Sequence, residues 1–370
     1  MLSSFSARRY RLFKSLRVLE LGRVNLLVGR NNAGKSAFLE ALELYAGAAA
    51  PRVLFNLVSA REETWHGRVQ TEFRQLHGNP IRHLFYGHRL PEVGEPGIEL
   101  GPVDSLSETL GLFTAAFQVV ADEEGVLQRT RVNPDNVKSI PEDVEITLMA
   151  QEGDKLRRVM RVNRDADFVR RIGALADPEA KLPVQVVPTR NMLPSKVASL
   201  WDVVGLTDLA EEVVEGLRLI EPLVQDIAFV EGSVSAREAR VPLVRIKGGS
   251  EPLPLRSLGD GMTRLFQIVL ALVNARDGVL LVDEFENGLH WSVQPAAWKT
   301  VFRLATKLNV QVFASTHSRD CVAGFEKAWN DRPADGNFLR LDPDPDFGVK
   351  TRQYSLETLA DSLETAVEVR

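Results

Sequence analysis

The eight residues Gly29-Arg30-Asn31-Asn32-Ala33-Gly34-Lys35-Ser36 constrain this chain more than any other stretch, because they match G-x-x-x-x-G-K-S between two elements of different periodicity. Before them runs the apolar segment Val24–Val28, read as a strand. After them Ala37, Leu39, Ala41, Leu42 and Leu44 recur at helical spacing. Strand, glycine-bounded loop and helix in that order aim backbone N–H groups and the positive end of a helix at one point, which suits an anion. A chance glycine-rich turn is the alternative, and it does not call for the flanking strand and helix. In this loop Lys35 is expected to reach the β- and γ-phosphates of a nucleotide, and Ser36 to offer its hydroxyl to Mg²⁺. Gly29, Arg30, Asn31, Asn32, Ala33, Gly34, Lys35, Ser36 and Ala37 are the expected nucleotide contacts.

Three later segments add to this. Gly278–Val282 reads as a buried strand that ends in Asp283-Glu284, two carboxylates at the strand end where a phosphate loop also opens. Asp283 is the expected metal carboxylate, and Glu284 the residue that orients the attacking water. Ser257-Leu258-Gly259-Asp260-Gly261-Met262 opens a helix running to Asn274, so Gly259 and Gly261 sit at a second helix N-terminus suited to an anion. One phosphate loop and two such sites suggest two copies sharing one nucleotide. Ala314-Ser315-Thr316-His317-Ser318 follows another buried strand, which puts His317 at a strand end, where it either is structural or reaches the γ-phosphate and the water.

Together Asn25–Leu42, Ser257–Leu272, Leu280–His290 and Val310–Ser318 resemble the ABC-type ATPase heads of the SMC, RecF and OLD-like AAA group, most of all stand-alone OLD-like AAA ATPases. The resemblance covers both halves of the core but not the middle of the chain. It implies an α/β P-loop NTPase head with a split core and a mixed β-rich and helical insertion, binding ATP and Mg²⁺. It also implies a dimer or higher oligomer in which Gly261 presents its amide to the γ-phosphate of the other copy. Two departures, Gly259 at the signature serine and His290 at the aspartate after Leu289, fit the OLD-like branch better than a transporter subunit. By the same resemblance Gln185, in a loop Val184–Arg190, is assigned near the metal, as an alternative to Arg190. Arg11 in the opening strand is assigned close to the nucleotide. Residues 318–370 leave little room for the nuclease domain of OLD-like enzymes, so a separate effector protein is expected, as in a bacterial defence system. The competing reading is a RecF-like DNA clamp.

Composition places the chain among ordinary globular proteins: 370 residues, 44% hydrophobic and 26% charged, too long for a single core without insertions. The expected division is 1–50 for the first half of the core, 51–189 for the insertion, 190–240 for a helical subdomain, 241–345 for the second half of the core and 346–370 for a terminal strand and helix. The net charge of -5 argues against a nucleic-acid coat protein but leaves room for a local basic patch. Lys155, Arg157, Arg158, Arg161, Arg164, Arg170 and Arg171 read as such a patch or, with Asp154, Asp165 and Asp167 interleaved, as a solvated face. The only cysteine, Cys321, excludes an internal disulfide and a cysteine-based zinc site. His77, His83 and His88 lack metal-ligand spacing. The longest apolar run, Leu265–Val273, is too short to cross a membrane, and the basic N-terminus lacks the apolar run of a secretion signal, so a cytoplasmic location without membrane contact is expected.

Overall fold

Six strands meet in one sheet whose three inner strands, Val24–Val28, Gln311–Ser315 and Val279–Val282, are buried along their whole length, as a covered parallel sheet requires. In spatial order they are β16 (Gly348–Tyr354), β15 (Gly336–Asp344), β3 (Val24–Val28), β14 (Gln311–Ser315), β13 (Val279–Val282) and β9 (Val184–Val187). Neighbours from β15 to β9 are parallel and β16 is antiparallel to β15. The computed structural model describes residues 1–63, 79–121, 127–132, 144–162, 178–232, 240–365 and 367–369.

Alternation along the strands divides the interior in two. Leu26, Val28, Leu280, Val282, Val312 and Ala314 face one cluster, covered by helices α3 (Pro194–Val204), α4 (Leu209–Leu217), α5 (Asp260–Asn274), α6 (Gln294–Lys307) and α7 (Arg319–Asn330). Leu27, Val279, Leu281 and Phe313 face the other, shared with helix α1 (Lys35–Ala46) and an antiparallel sheet. That sheet has the order β2 (Phe13–Val18), β1 (Phe5–Tyr10), β4 (Ile98–Gly101), β5 (Leu110–Ala121), β7 (Glu145–Glu152), β8 (Lys155–Arg161), with β6 (Leu127–Arg131) also paired to β5. Helix α1 lies between the two sheets: the Phe38 ring is 5.7 Å from Phe5 of β1 and 6.3 Å from Phe313 of β14. This explains why α1 is apolar nearly all round. A third sheet, β10 (Val224–Glu231), β11 (Arg240–Ile246) and β12 (Leu253–Pro254), packs beside α3 and α4, and α8 (Leu356–Glu364) ends the chain's ordered elements.

Several sequence expectations change here. The antiparallel sheet is not confined to the insertion, because β1 and β2 from the N-terminus begin it. The stretch Val184–Val187 is the edge strand of the core sheet rather than a loop; its β-branched run finds a parallel partner in β13. Leu206 to Gln225 has apolar residues at helical spacing throughout, yet helix α4 spans only Leu209–Leu217, and Val224 already pairs with Ile246 in a strand. The chain from Val53 to Gly78 has a helical pattern, of which α2 (Pro51–Ala60) forms the first part; residues 64–78 lie outside the described part. The nine-residue apolar run Leu265–Val273 lies within α5, buried throughout, and among the described residues no helix is long and apolar enough to cross a membrane. His83 and His88 do meet, their Nδ1 atoms 3.3 Å apart, yet among the described residues no three His, Cys, Asp or Glu side chains form a metal-holding group.

Candidate functional site

Parallel pairing brings the carboxyl ends of β3, β14, β13 and β9 to one edge of the sheet, and each runs into a loop there. Backbone bonds carry the register one step further: Thr316 N–H donates to Leu27 (3.0 Å), Asp283 N–H to Val187 (3.0 Å) and Phe285 N–H to Ser315 (2.9 Å). The loops after these strands hold the phosphate loop, Pro188-Thr189, Asp283-Glu284 and Thr316-His317.

The phosphate loop needs both of its glycines. Gly34 has φ +100°, and a Cβ there would lie 2.8 Å from the Phe13 ring. Gly29 has φ +149°, and a Cβ would lie 2.5 Å from the Leu341 carbonyl. Any other residue would strain the turn and displace the wall behind it. Arg30, Asn31 and Asn32 form the exposed rim, while Ala33 and Ala37 are buried beneath it. Lys35 folds back over the loop, its Nζ donating to the carbonyls of Gly29 (2.8 Å) and Arg30 (3.1 Å). Burial holds the Lys35 ammonium below the usual lysine range, while Asp283, Glu284 and Glu286 pull the other way.

Asp283 collects three hydroxyls. Ser36 Oγ donates to its Oδ2 at 2.9 Å, Thr189 Oγ1 to the same oxygen at 3.2 Å, and Ser315 Oγ to its Oδ1 at 2.5 Å. One carboxylate with flanking hydroxyls is a hard-oxygen donor set, which fits a Mg²⁺ that keeps waters and takes phosphate oxygens better than an ion enclosed by the protein. Glu284 follows with φ +52°, its N–H donating to Ser315 Oγ at 2.9 Å. Its Oε1 lies 3.8 Å from His317 Nε2, so the two residues assigned to the water meet at one point. Glu286, which the sequence reading passed over, accepts from the His317 N–H at 2.8 Å and keeps its other oxygen buried without a hydrogen-bond partner. Beside Ser36 and Asp283 opens a cleft of about 780 Å³ lined also by Glu40, Glu43, Thr189 and Arg190.

Gly259 (φ +97°) caps α5, and the turn is exposed at Gly259 and Asp260 and half-buried at Gly261. Gly261 packs on the turn after the acidic strand: a Cβ there would lie 2.8 Å from the Gly288 carbonyl. Asn287 Nδ2 ties that turn to the Thr189 carbonyl at 2.8 Å.

Two assignments are corrected. Gln185 lies inside β9, in register with Leu280, three residues before the level of Asp283, and its Oε1 is buried without a hydrogen-bond partner. The hydroxyl that reaches Asp283 from this segment is Thr189, past the strand end. Arg11, φ +47°, is buried and held by Glu40 (2.5 Å) and Glu63 (2.8 Å), so its guanidinium is spent inside the fold. Thr189 and Ser315 escaped notice because a hydroxyl residue at a strand end carries no motif; the one available signal was that each follows an apolar strand ending at the same edge.

Residues 213–320 match the family described as "AAA domain, putative AbiEii toxin, Type IV TA system". Over 341 residues the chain is 20% identical to an ATP/GTP phosphatase of Helicobacter pylori, spanning 87% of this chain and 86% of that protein. This is a P-loop ATPase. Its fold is α/β, with the strands of the parallel core sheet split in sequence by an insertion. Similar solved structures include an SMC head bound to the C-winged helix domain of ScpA (14% identical, 97% of this chain and 99% of that chain, TM-score 0.48). Another is the SMC head domain from Thermotoga maritima (10% identical, 96% and 99%, TM-score 0.44).

Proposed function

We propose that this ATPase works as a pair of heads sharing ATP, each copy supplying the phosphate loop to one nucleotide and the α5 N-terminus to the other. The observation that carries the reading is the meeting of Ser36, Asp283, Glu284 and His317 at one sheet edge, while the α5 turn stands open to solvent. In it, Gly29–Ala37 wrap the phosphates and Lys35 exchanges its two carbonyls for phosphate oxygens. Ser36 and Asp283 would hold Mg²⁺, which when bound would offset the negative charge of the phosphates. Glu284 orients the attacking water and accepts its proton as oxygen bonds to the γ-phosphorus, and the bond from that phosphorus to the bridging oxygen breaks to leave ADP and phosphate. His317 steadies the Glu284 carboxylate and the water. Gly259 and Gly261 of the second copy present their helix end to the γ-phosphate, and Trp291, 63% exposed in the turn after Gly288, offers an aromatic anchor for that contact.

At the level of the cell we propose a regulatory ATPase of a defence system that acts through a separate effector, a reading supported by the toxin–antitoxin wording of the matched family. The clamp reading draws less support. Arg158 and Arg161 of β8 and Arg129 of β6 converge on buried Glu145, and Arg157 donates to the Ala48 carbonyl, so these arginines hold the sheet together. Arg164, Arg170 and Arg171 lie outside the described residues. The test is the solution mass of Glu284→Gln with and without ATP and Mg²⁺. A doubling on ATP supports shared nucleotides; a monomer mass in both conditions refutes them.

A further inference from the structure

Arg264 is charged, buried to 2% exposure, and sits in the first turns of α5, one helical turn past Gly261. Its guanidinium reaches three backbone carbonyls in two other loops: Pro188 at 2.6 Å, Asp283 at 2.6 Å and Glu284 at 2.8 Å. No carboxylate forms an ion pair with it among the described residues. Burial pushes its pKa down to about 10, with Asp283, Glu286 and Glu284 acting in the opposite sense, so it keeps its charge at neutral pH. A buried cation that spends its donors on carbonyls is fixing backbone, because each bond sets the position of a peptide plane rather than of a side chain.

The peptide it fixes is an unusual one. Glu284 is not glycine, yet it lies in the left-handed region at φ +52°, a conformation that persists only where the surroundings over-determine it. Three groups do so: Ser315 Oγ receives the Glu284 N–H, and both Arg264 and the Asn287 N–H (3.1 Å) donate to the Glu284 carbonyl. Without them the residue would relax toward an ordinary conformation and carry its carboxylate away from His317. Gln267, one further turn along α5, accepts from the Met192 N–H at 3.2 Å and ties the same helix to the same loop as Arg264 does through Pro188.

We infer that Arg264 is a positioning residue that couples the α5 N-terminus to the catalytic carboxylate, locking Glu284 in its left-handed backbone when the helix is seated. The inference rests on the reading of Glu284 as the water-orienting group. Through Arg264, a shift of α5 against a second copy's nucleotide is felt at the Asp283-Glu284 peptide and at the Thr189 loop together. Binding and hydrolysis then depend on Arg264 differently: its hydrogen bonds go to Pro188, Asp283 and Glu284 and, among the described residues, none goes to the phosphate loop.

The experiment measures equilibrium binding of a fluorescent ATP analogue and single-turnover ATP hydrolysis, per nucleotide bound, for Arg264→Met, Arg264→Lys and Glu284→Gln. Arg264→Met should bind within about threefold of wild type yet hydrolyse on the order of 100-fold more slowly, as misplacement of a reacting group by about an ångström does. Arg264→Lys, which restores charge and part of the donor set, should recover part of that loss. A purely structural role would lower the amount of nucleotide bound and leave the rate per bound nucleotide alone, and that result overturns the inference. So does wild-type hydrolysis by either Arg264 variant while Glu284→Gln is inactive. If Arg264→Met does not fold, Arg264→Lys decides alone: slower hydrolysis with binding kept supports the inference, and an unchanged rate overturns it. Wild-type hydrolysis by Glu284→Gln would instead refute the assignment of Glu284 itself.

Discussion

Ser315→Ala removes one hydroxyl and should show how tightly the two acidic residues are bound to the fold. Ser315 is fully buried at the end of β14 and works in both directions, donating to Asp283 Oδ1 at 2.5 Å and accepting from the Glu284 N–H at 2.9 Å. A hydrogen bond to an ionised group contributes about 1.5–3 kcal/mol and an ordinary one about 1 kcal/mol, so the two together come to roughly 2.5–4 kcal/mol. Alanine keeps the Cβ and leaves only a small void, so packing adds little. The assay is urea unfolding of the nucleotide-free protein near neutral pH, with Ser318→Ala as an internal scale. Ser318, three residues on, caps α7 by accepting from the Cys321 N–H at 3.3 Å, a bond whose loss costs about 1 kcal/mol. Ser315→Ala should be roughly two and a half to four times as damaging as that control, and steady-state turnover should fall on the order of tenfold as Glu284 loses the anchor of its N–H. A destabilisation no greater than that of Ser318→Ala would refute the claim that Ser315 holds the acidic pair.

Lys35→Ala should abolish tight ATP binding, whereas Glu284→Gln should keep it and lose hydrolysis, which filter binding and phosphate release read separately. Gly261→Ala places a Cβ 2.8 Å from the Gly288 carbonyl, so the α5 turn must shift at a cost of about 1–3 kcal/mol; the ATP-dependent gain in mass of Glu284→Gln should disappear in the double variant while each chain still binds ATP. Glu43 has its carboxyl pushed up from 4.5 to about 7, first by burial and then by the charge of Glu40. A pKa raised on folding means that stability is complete below about 4.5 and falls as pH rises to about 7, by up to roughly 3 kcal/mol. Glu43→Gln should remove that fall, and denaturation midpoints from about pH 4.5 to 7.5 that decline equally in both proteins would refute it.

Much of the fold could be read because its core strands advertise themselves. Val24–Val28, Val279–Val282 and Gln311–Ser315 are runs that a parallel sheet covered on both faces demands, and each was found at its place in the chain. Val184–Val187 has the same character, yet the resemblance to ABC-type heads assigns Gln185 to a loop. What decided its state was the free edge of β13, 95 residues further along, which no local pattern announces. The N-terminal strands were placed with the nucleotide core by adjacency in sequence. They belong to the antiparallel sheet because Ser6–Arg8 pair with Glu99–Gly101.

The site divides along the same line. Residues whose chemistry depends on neighbours in sequence could be nominated from it: the glycines and lysine of the phosphate loop, the acidic strand end and the histidine. Residues that act by reaching across could not. Thr189 and Asp283 are 94 positions apart, and Arg264 acts on carbonyls, which every residue carries, so neither the donor's type nor its target distinguishes it in a sequence. The misreading of Arg11 has the same origin. A cation near a phosphate loop suggests a phosphate ligand only until Glu40 and Glu63 are seen to claim it, and Glu40 lies on α1 one turn after Ser36. Charge alone therefore does not tell a ligand contact from an internal tie. Exposure and partner do: Lys35 spends its donors on two carbonyls of the loop that must open to a phosphate, whereas buried Arg11 is paired with two carboxylates, of which Glu40 also meets Arg61.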